Sequence, residues 1–290
     1  MKPSLVTAVI PAFNSEKYIL AAIDSVLSQT YEQIECLVVD DGSTDSTARL
    51  VASRPGVRCI SQVNGGVAKA RNVGIREARG DLIAFLDADD AWLPDKTETQ
   101  VRLFESEPRL GLAYSGMWIT DEQLEPVGRM HAPPSAVALR NSLLMEPPVV
   151  SVAQTAIVPK GVLGELGGFD ERMTTSADTD LACRIAIRHL VEGVDEPLVL
   201  YRQHESQMHH NTAAMEHDMA ALFEKIFTSD ADPRVADLER RARANLEVAL
   251  GLARLHERDF AGTTKHLLAA TRLDPWSFPR AVRRRSKVRG

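Results

Sequence analysis

The sequence lacks the features that would place it in a membrane or outside the cell. No apolar run approaches the ~18 residues of a membrane-spanning helix, and the first residues contain no apolar secretory core. The three cysteines, Cys36, Cys59 and Cys183, have no disulfide or metal-binding spacing. We therefore expect a cytoplasmic protein in which all three cysteines are small buried apolar residues.

Common catalytic and nucleotide-binding motifs are missing as well. The sequence has no G-x-S-x-G, which leaves a serine hydrolase unsupported. It has neither G-x-x-x-x-G-K-[ST] nor G-x-G-x-x-G, so neither a phosphate-binding loop nor a dinucleotide fold is indicated. A net charge of −6 over 290 residues argues against nucleic acid as a partner.

The C-terminal end departs from this acidic balance. Residues 280–290 contain six Lys or Arg residues and no acid. Such a segment is typical of a solvated, frayed tail. It also suits peripheral attachment to the inner face of a membrane, because each basic side chain near anionic lipid contributes ~1 kcal/mol.

What the sequence does contain is a regular alternation of strands and helices before residue 110. Short apolar runs predict strands at Leu5–Ile10, Ile34–Val39, Val57–Ile60 and Leu82–Leu86. Asn14 and Ser15 are predicted to cap a first helix, whose apolar face comprises Ile19, Ala22, Ile23, Val26 and Leu27. Further helices are predicted to end near Ser53 and, after Asn64-Gly65-Gly66, near Gly80. This order predicts an α/β fold with a mostly parallel, Rossmann-like sheet flanked by helices.

Polar clusters follow these predicted strands. In such sheets, ligands bind beyond the carboxyl ends of the strands, where the sequence places Asn14, Asp40, Asp41, Asn64, Asp87 and Asp89. Asp87 and Asp89 point the same way, and two such carboxylates repel unless a cation lies between them or one is protonated. Mg²⁺ or Mn²⁺ shared with a diphosphate is the functional interpretation, and an ordinary acidic turn is the alternative.

Three further features allow two interpretations each. Asp41 could accept hydrogen bonds from a base or ribose, or it could, like Ser43 or Thr44, cap the next helix. Gly65-Gly66 could bring the backbone and Arg71 to an anionic ligand, or could be only a turn. Asp178 or Asp180 could be a general base, or could stabilise a helix dipole.

Together these segments resemble the family 2 glycosyltransferases, which have the GT-A fold. The resemblance runs from about residue 5 to residue 207. It is carried by V-I-P-A-F-N at 9–14, V-D-D-G-S-T-D at 39–45, N-G-G-V-A-K-A-R-N-V-G at 64–74, F-L-D-A-D-D at 85–90, G-G-F-D-E at 167–171, D-T-D-L at 178–181 and Y-R-Q-H at 201–204.

The resemblance implies a role for each matching position. A nucleoside diphosphate sugar, with a UDP-sugar favoured, would be bound by Pro11, Ala12, Phe13, Asn14, Asp41, Gly65, Arg71, Asp87, Ala88 and Arg202. Mn²⁺ or Mg²⁺ would be held by Asp89, with Asp87 and His204 as further candidate ligands. Asp178 would deprotonate an acceptor hydroxyl, which then attacks the anomeric carbon with inversion. The acceptor would be a carbohydrate, a lipid-linked group or another hydroxyl compound used in surface polysaccharide, glycolipid or glycoconjugate synthesis.

Departures from the family pattern and two rival functions shape this expectation. Many relatives have Glu-Asp where this chain has Ala177-Asp178, which leaves the acceptor open. The chain lacks the Gln-x-x-Arg-Trp motif and the long membrane segments of processive synthases, so one sugar per turnover is expected.

The first rival function is a sugar nucleotidyltransferase. Such an enzyme would need a Gly-rich, Arg-containing loop directly after the first strand, where this chain has P-A-F-N at residues 11–14. The presence of Asp89 and Asp178 argues against a non-catalytic binding or scaffold protein.

The sequence also predicts two regions. Residues 1–210 would form the glycosyltransferase domain, with the nucleotide-sugar half in about 1–110 and the acceptor half in about 111–210. The stretch from about residue 110 to 175 is rich in Pro and Gly, which predicts loops that could bind the acceptor. Residues 211–290 would form a helical extension that ends in the basic tail. In it, Leu250, Gly251, Ala270 and Pro275 partly resemble a tetratricopeptide repeat, which predicts a helical hairpin or a surface for a dimer or another partner.

Overall fold

The computed structural model describes residues 4–204, 212–228 and 232–288, with side chains described as far as residue 282. The chain forms two compact units, one of Met1–Leu139 and Pro148–Gln207, the other of Arg140–Pro147 and Met208–Gly290. The second unit thus includes a short segment that the sequence analysis assigned to the acceptor half. Glu146 explains this difference, because its carboxylate forms ion pairs with Arg140 and Arg241 of the same unit.

The strands in the described residues form one sheet in the first unit. The strands are β1 (Val6–Ala12), β2 (Ile34–Asp40), β3 (Val57–Ser61), β4 (Leu82–Phe85), β5 (Ala91–Trp92), β6 (Leu110–Thr120), β7 (Pro126–Met130), β8 (Ile157–Pro159) and β9 (Leu190–Arg202). Their order in the sheet is β3-β2-β1-β4-β8-β6-β9-β5, and β7 pairs with β6.

Helices flank the strands in the first unit and make up the regular structure of the second. In chain order they are α1 (Ile19–Leu27), α2 (Thr47–Ala52), α3 (Val67–Glu77), α4 (Lys96–Ser106), α5 (Ser135–Leu143), α6 (Val152–Thr155), α7 (Lys160–Leu166), α8 (Ala177–Arg188), α9 (Thr212–Ile226), α10 (Pro233–Ala236), α11 (Glu239–His256), α12 (Phe260–Leu273) and α13 (Ser277–Val288). Among the described residues, no helix combines the length and the apolar character that a membrane crossing requires.

The α/β prediction is confirmed, and its parallel part is the run β3-β2-β1-β4. Beyond β4 the sheet becomes mixed, because β8 is antiparallel to β4 and β6, whereas β9 is parallel to β6. The region from about residue 110 to 175, predicted to be rich in loops, also contains the strands β6, β7 and β8. Gly111, Ser115 and Gly116 interrupt the apolar pattern of β6, which hides a strand that is nevertheless mostly buried.

Three local expectations about the helices were wrong. Leu27 is 45% exposed, although the other predicted members of the α1 face are buried, because α1 ends at this residue. The N-cap residue of α1 is Tyr18, and neither Asn14 nor Ser15 caps it. Helix α3 ends at Glu77; Gly80 is instead required because a Cβ there would lie 2.4 Å from Leu5 O.

The cysteine expectation was right for two of the three residues. Cys36 and Cys183 are buried, whereas Cys59 is exposed. The reason lies in the sheet order, because Cys59 belongs to the edge strand β3, which has a neighbouring strand on one side only.

The second unit contains the predicted helical hairpin. Helices α11 and α12 pack together where Gly251 lets Leu267 approach, since a Cβ at Gly251 would lie 3.1 Å from Leu267 Cδ2. Leu250 and Ala270 are buried in the same unit. The expectation for the basic tail rests largely on residues 283–290, whose side chains lie outside the described part of the chain.

Candidate active site

The loops that follow β1 and β2 are locked together at the carboxyl edge of the sheet. Asp41 N donates a hydrogen bond to Ala12 O at 2.8 Å. Asn14 has a left-handed backbone, with φ 48°, and its side-chain oxygen accepts from Thr44 N at 2.8 Å. Pro11 and Ala12 are buried, whereas Phe13 is 49% exposed. The predicted nucleotide-binding residues 11–14 therefore lie where ligands of such sheets bind.

The carboxylate of Asp41 holds the turn that precedes α3. It accepts hydrogen bonds from Gly65 N at 2.9 Å, from Gly66 N at 2.8 Å and from Gln62 Nε2 at 2.6 Å. Gly66 has φ 90°, a conformation that favours glycine. The capping alternative for Asp41 is therefore wrong: in α2, Thr47 N bonds to Asp45 Oδ1 instead.

Helix α3 brings Arg71 against Asp87, the first carboxylate of the acidic turn formed by residues 87–90. Arg71 Nη2 donates to Asp87 Oδ1 at 2.5 Å, and its guanidinium lies 5.3 Å from the centroid of the Phe169 ring. Asn72, also in α3, anchors the loop that carries Phe169. Its side chain donates to Phe169 O and accepts from Phe169 N, both at 2.9 Å. A Cβ at Gly168 would lie 2.5 Å from Asn72 Oδ1, which explains the glycine.

Asp87 is engaged through both carboxylate oxygens. Besides the Arg71 contact at Oδ1, Gln154 Nε2 donates to Oδ2 at 2.8 Å. Burial raises the pKa of Asp87, Arg71 opposes this change, and the negative charges of Asp89 and Asp178 add to it. The structure thus brings Asp87, Asp89 and Asp178 close enough for their charges to interact.

The pairing of β5 with β9 brings the end of β9 to the second carboxylate. Arg202 Nε donates to Asp89 O at 2.6 Å, while His204 Nε2 lies 2.9 Å from Asp89 Oδ2. The ring of Tyr18 packs against both residues, at 4.9 Å from the His204 ring and 4.7 Å from the Arg202 guanidinium. The predicted donor-binding Arg202 and the predicted ligand His204 therefore converge on Asp89.

The carboxylate of Asp89 is a ligand that suits a hard divalent cation, and His204 is the side chain beside it. Mg²⁺ and Mn²⁺ prefer carboxylate oxygens and take further ligands from water and substrate phosphates. Among the described residues, no group of three or more His, Cys, Asp or Glu side chains is arranged to hold a metal ion by itself. A metal here would therefore need the diphosphate of a substrate to complete its coordination.

Asp90 is a buried acid that the sequence analysis did not single out. Its Oδ1 accepts from Arg202 N at 2.9 Å, and its Oδ2 has no hydrogen-bond partner in the described part of the chain. Burial, followed by the charges of Asp89 and Asp87, raises the pKa of Asp90 well above the usual value. The signal was a third acid within the segment D-A-D-D at residues 87–90; sequence alone did not distinguish Asp90 by its burial.

Asp178 and Asp180 have different surroundings at the start of α8. Asp180 is fully buried and accepts a hydrogen bond from Arg184 Nη2 at 2.5 Å. The two side chains therefore form an ion pair that stabilises the structure. Asp178 accepts from Thr179 N at 2.8 Å and from Ser151 Oγ at 3.3 Å. Burial and the charges of all four site acids, Asp178 included, raise the pKa of Tyr201. The charge of Asp178 also acts on Asp87, so Asp178 lies near the acidic turn.

Ser151 and Gln154 are polar site residues that the sequence analysis missed. Ser151 Oγ donates to Gln154 Oε1, and Gln154 in turn contacts Asp87. The only sequence signal is a Ser-x-x-Gln pattern, which is typical of a helix capping box. In the structure, the Ser151 side chain makes no capping hydrogen bond to α6.

Comparison with known sequences identifies relatives for this chain. The family described as "Glycosyl transferase family 2" matches residues 7–163, more than half of the 290 residues. An uncharacterized glycosyltransferase of Rickettsia felis is 32% identical over 213 residues, which cover 70% of this chain and 35% of that protein. The chain spans between 35% and 65% of the length of four such Rickettsia proteins.

Comparison with solved structures extends the likeness to almost the whole chain. S. aureus TarS 1–349 in complex with UDP has a TM-score of 0.67 at 18% identity, covering 92% of this chain and 90% of that chain. The Pyrobaculum calidifontis mannosyltransferase PcManGT, in complex with GDP-Man and Mn²⁺, has a TM-score of 0.60 at 21% identity, covering 92% of this chain and 75% of that chain. At these identities the likeness shows the fold, which is the predicted GT-A arrangement with C-terminal helices.

Proposed function

Because the chain belongs to glycosyl transferase family 2, we propose that it transfers one sugar from a nucleoside diphosphate sugar to an acceptor hydroxyl. The observation that carries this proposal is the convergence of Asp87, Asp89 and Asp178 at the carboxyl edge of one sheet. Arg71, which contacts Asp87, supplies positive charge beside these acids, as a diphosphate requires.

The nucleotide is proposed to bind along the loops that follow β1 and β2. The exposed ring of Phe13 offers a face for the base, and Asn14, Asp41 and Gly65 line the same edge. Arg71 would contact the ribose or a phosphate, with Asp87 and Ala88 beside the ribose or the sugar. A UDP-sugar is the favoured donor; TarS, a structural neighbour, binds UDP.

A divalent cation is proposed to bind at Asp89 and His204, with Asp87 as a further candidate ligand. Bound there, Mn²⁺ or Mg²⁺ would stabilise negative charge on the diphosphate. The structural neighbour PcManGT was solved with Mn²⁺. In this chain, Arg202 fixes the backbone of Asp89 through the 2.6 Å hydrogen bond from its Nε, so the Asp89 carboxylate is held toward His204.

Asp178 is proposed to be the general base of an inverting transfer. The acceptor hydroxyl gives its proton to the Asp178 carboxylate as its oxygen bonds to the anomeric carbon. The bond from that carbon to the diphosphate oxygen breaks, and the electron pair leaves with the nucleoside diphosphate. The acceptor class, a carbohydrate, a lipid-linked group or another hydroxyl compound, is proposed from the family resemblance alone.

Replacement of Asp178 by Asn tests this assignment. We expect sugar transfer to fall by ~10²-fold or more, because the amide cannot accept the proton, while UDP affinity measured by calorimetry stays within about twofold. Asp81→Asn is the matched control: Asp81 is exposed and precedes β4 at the opposite edge of the sheet. Unchanged turnover in Asp178→Asn would remove Asp178 from the mechanism.

A further inference from the structure

Tyr18, the N-cap residue of α1, packs against two residues at the end of β9. The centroid of its ring lies 4.9 Å from that of the His204 ring and 4.7 Å from the guanidinium of Arg202. Arg202 is 5% exposed, and the side chain of His204 is 8% exposed. Both side chains reach Asp89, through Arg202 Nε and His204 Nε2. The ring of Tyr18 therefore contacts both of the side chains that converge on Asp89.

Glu122, in the turn between β6 and β7, fixes the hydroxyl end of the Tyr18 side chain. Tyr18 Oη donates a hydrogen bond to Glu122 Oε1 at 2.7 Å, and Lys17 Nζ donates to the same oxygen. The backbone oxygen of Glu122 accepts a hydrogen bond from Arg202 Nη1. One residue of this turn thus contacts both Tyr18 and Arg202, the first with its carboxylate and the second with its carbonyl oxygen.

The turn that carries Glu122 is itself fixed by hydrogen bonds. Asp121 Oδ1 accepts from Gln123 N and from Glu125 N, both at 2.9 Å. Asp121 N donates to Glu125 O at 3.0 Å, which closes the turn. A side-chain oxygen that accepts from nearby backbone N–H groups stabilises such a turn. The position of Glu122 is therefore determined by the turn, and through it the position of the Tyr18 hydroxyl.

The charges at this site explain why Arg202 and His204 need such a neighbour. A divalent cation at Asp89 would repel the guanidinium of Arg202. The face of an aromatic ring attracts a guanidinium, so Tyr18 stabilises the hydrogen bond from Arg202 to the backbone oxygen of Asp89 against this repulsion. The same ring restricts the rotation of His204, and a side chain that is already restricted loses less entropy when a ligand binds.

We propose that Tyr18 is a positioning residue that holds Arg202 and His204 at Asp89 before any ligand binds, and that Glu122 orients its ring. Binding of a cation and a diphosphate then does not have to order these side chains. The consequence, tighter binding of a nucleoside diphosphate with Mn²⁺, rests on the proposed function. The positioning itself belongs to the chain alone and is measured without a ligand.

Nitrogen-15 NMR of the arginine side chains in the full chain measures the positioning. The Nε–H of Arg202, assigned through Arg202→Lys, is expected to exchange slowly with water, because it is buried and donates to Asp89 O. In Tyr18→Leu its exchange should become about tenfold faster, because the ring is lost, whereas Tyr18→Phe keeps the ring and should stay within about threefold of wild type. Tyr31→Leu is the matched control and should change nothing, since Tyr31 is also half-buried and donates its hydroxyl to a backbone oxygen, that of Ser4.

Binding of UDP and of uridine tests the consequence in the same variants. With Mn²⁺, Tyr18→Leu is expected to bind UDP about tenfold more weakly than wild type in calorimetry. Uridine has no diphosphate, so its affinity, measured by NMR titration, should agree within about twofold between the two proteins. A general disturbance of the fold would weaken both ligands, whereas loss of positioning weakens only UDP. Tyr18→Phe and Tyr31→Leu should stay within about threefold of wild type for both ligands.

Three results would overturn the proposal. The first is Arg202 exchange in Tyr18→Leu that is as slow as in wild type. The second is equal exchange in Tyr18→Leu and Tyr18→Phe, because the ring would then not be what holds Arg202. The third is an equal loss of affinity for UDP and uridine in Tyr18→Leu. If the wild-type chain bound no UDP with Mn²⁺, the proposed function would fail, and the exchange rates alone would decide whether Tyr18 positions Arg202.

Discussion

At the scale of single residues, the buried charged side chains of the first unit are stabilised in different ways. Asp180 is paired with Arg184, whereas the described residues give Lys96 no carboxylate partner. Lys96 is fully buried; its Nζ donates to Gln100 Oε1 at 2.7 Å and lies 4.2 Å from the centroid of the Trp92 ring. Burial lowers the pKa of Lys96 to about 7 from 10.5. Keeping this ammonium charged in the interior therefore costs stability.

This pKa predicts a pH-dependent effect of Lys96→Met. Below about pH 7 the lysine is charged in both folded and unfolded chains and its burial penalty is complete. Between about pH 7 and pH 10 the unfolded chain binds more protons, so wild-type stability rises with pH, by up to ~4 kcal/mol. We expect the free energy of unfolding of Lys96→Met, relative to wild type, to be most favourable near pH 6 and to decline toward pH 10.

Urea unfolding of both proteins at pH 6 and at pH 9.5 measures this difference. Lys17→Met is the matched control, since Lys17 is exposed and its ion pair with Glu122 lies at the surface. A difference between wild type and Lys96→Met that did not change with pH would contradict the burial argument.

The same scale shows which site residues sequence can predict. Charged residues at the ends of elements, such as Asp89 after β4 and Asp178 in the first turn of α8, stand out because a carboxylate in such a position needs a reason. Ser151 and Gln154 do not, because neutral polar residues in a short helix match an ordinary cap. Their role depends on which side chain each one meets, and those partners are 27 and 67 residues away in sequence.

At the scale of elements, the sequence predicts the strands whose apolar runs end in a recognisable turn. The strands β1 to β4 were placed to within two residues, because each apolar run is bounded by turn residues and a helical pattern. Strand β5 has only two residues and pairs with β9 more than a hundred residues later, at Ala91 with Leu200. No local pattern can reveal such a pairing, and yet it is what carries Arg202 to Asp89.

Helix α13 carries the membrane proposal. Trp276, just before it, is 68% exposed, and within it Phe278 and Val282 are 38% and 52% exposed. Exposed apolar side chains in a basic segment suit a surface of anionic lipid. We expect deletion of residues 280–290 to reduce binding to vesicles containing phosphatidylglycerol by about tenfold or more, measured by co-sedimentation.

Two comparisons make this vesicle experiment specific. Phosphatidylcholine vesicles, which lack net charge, should bind the intact chain weakly, and raised salt should weaken binding to anionic vesicles. Phe260→Ala removes an aromatic side chain that is as exposed as Trp276 but lies in α12, so it should leave binding unchanged, whereas Trp276→Ala should reduce it. Equal vesicle binding with and without residues 280–290 would dismiss the proposed attachment and the location at the inner face of a membrane.

At the scale of the whole molecule, every predicted site residue belongs to the first unit. The predicted nucleotide-binding loops, the acidic turn, Asp178 and the end of β9 all come from Met1–Leu139 and Pro148–Gln207. The sequence could predict this grouping because most of the motifs follow successive strands of one parallel sheet. The assignment of residues 111–210 to acceptor binding stays a prediction, as does a partner or dimer surface on the helices of the second unit.

The most direct test of the account is thermal unfolding of the full chain with UDP, GDP, dTDP and CDP in turn, each with Mn²⁺ and with a chelator. A nucleotide at 100 times its dissociation constant should add ~2.7 kcal/mol to the free energy of unfolding, a rise of about 5 °C or more in Tm. The account predicts this rise with UDP in the presence of Mn²⁺ and a smaller one with the chelator. No rise with any of the four nucleotides would contradict the proposal that this chain uses a nucleoside diphosphate sugar.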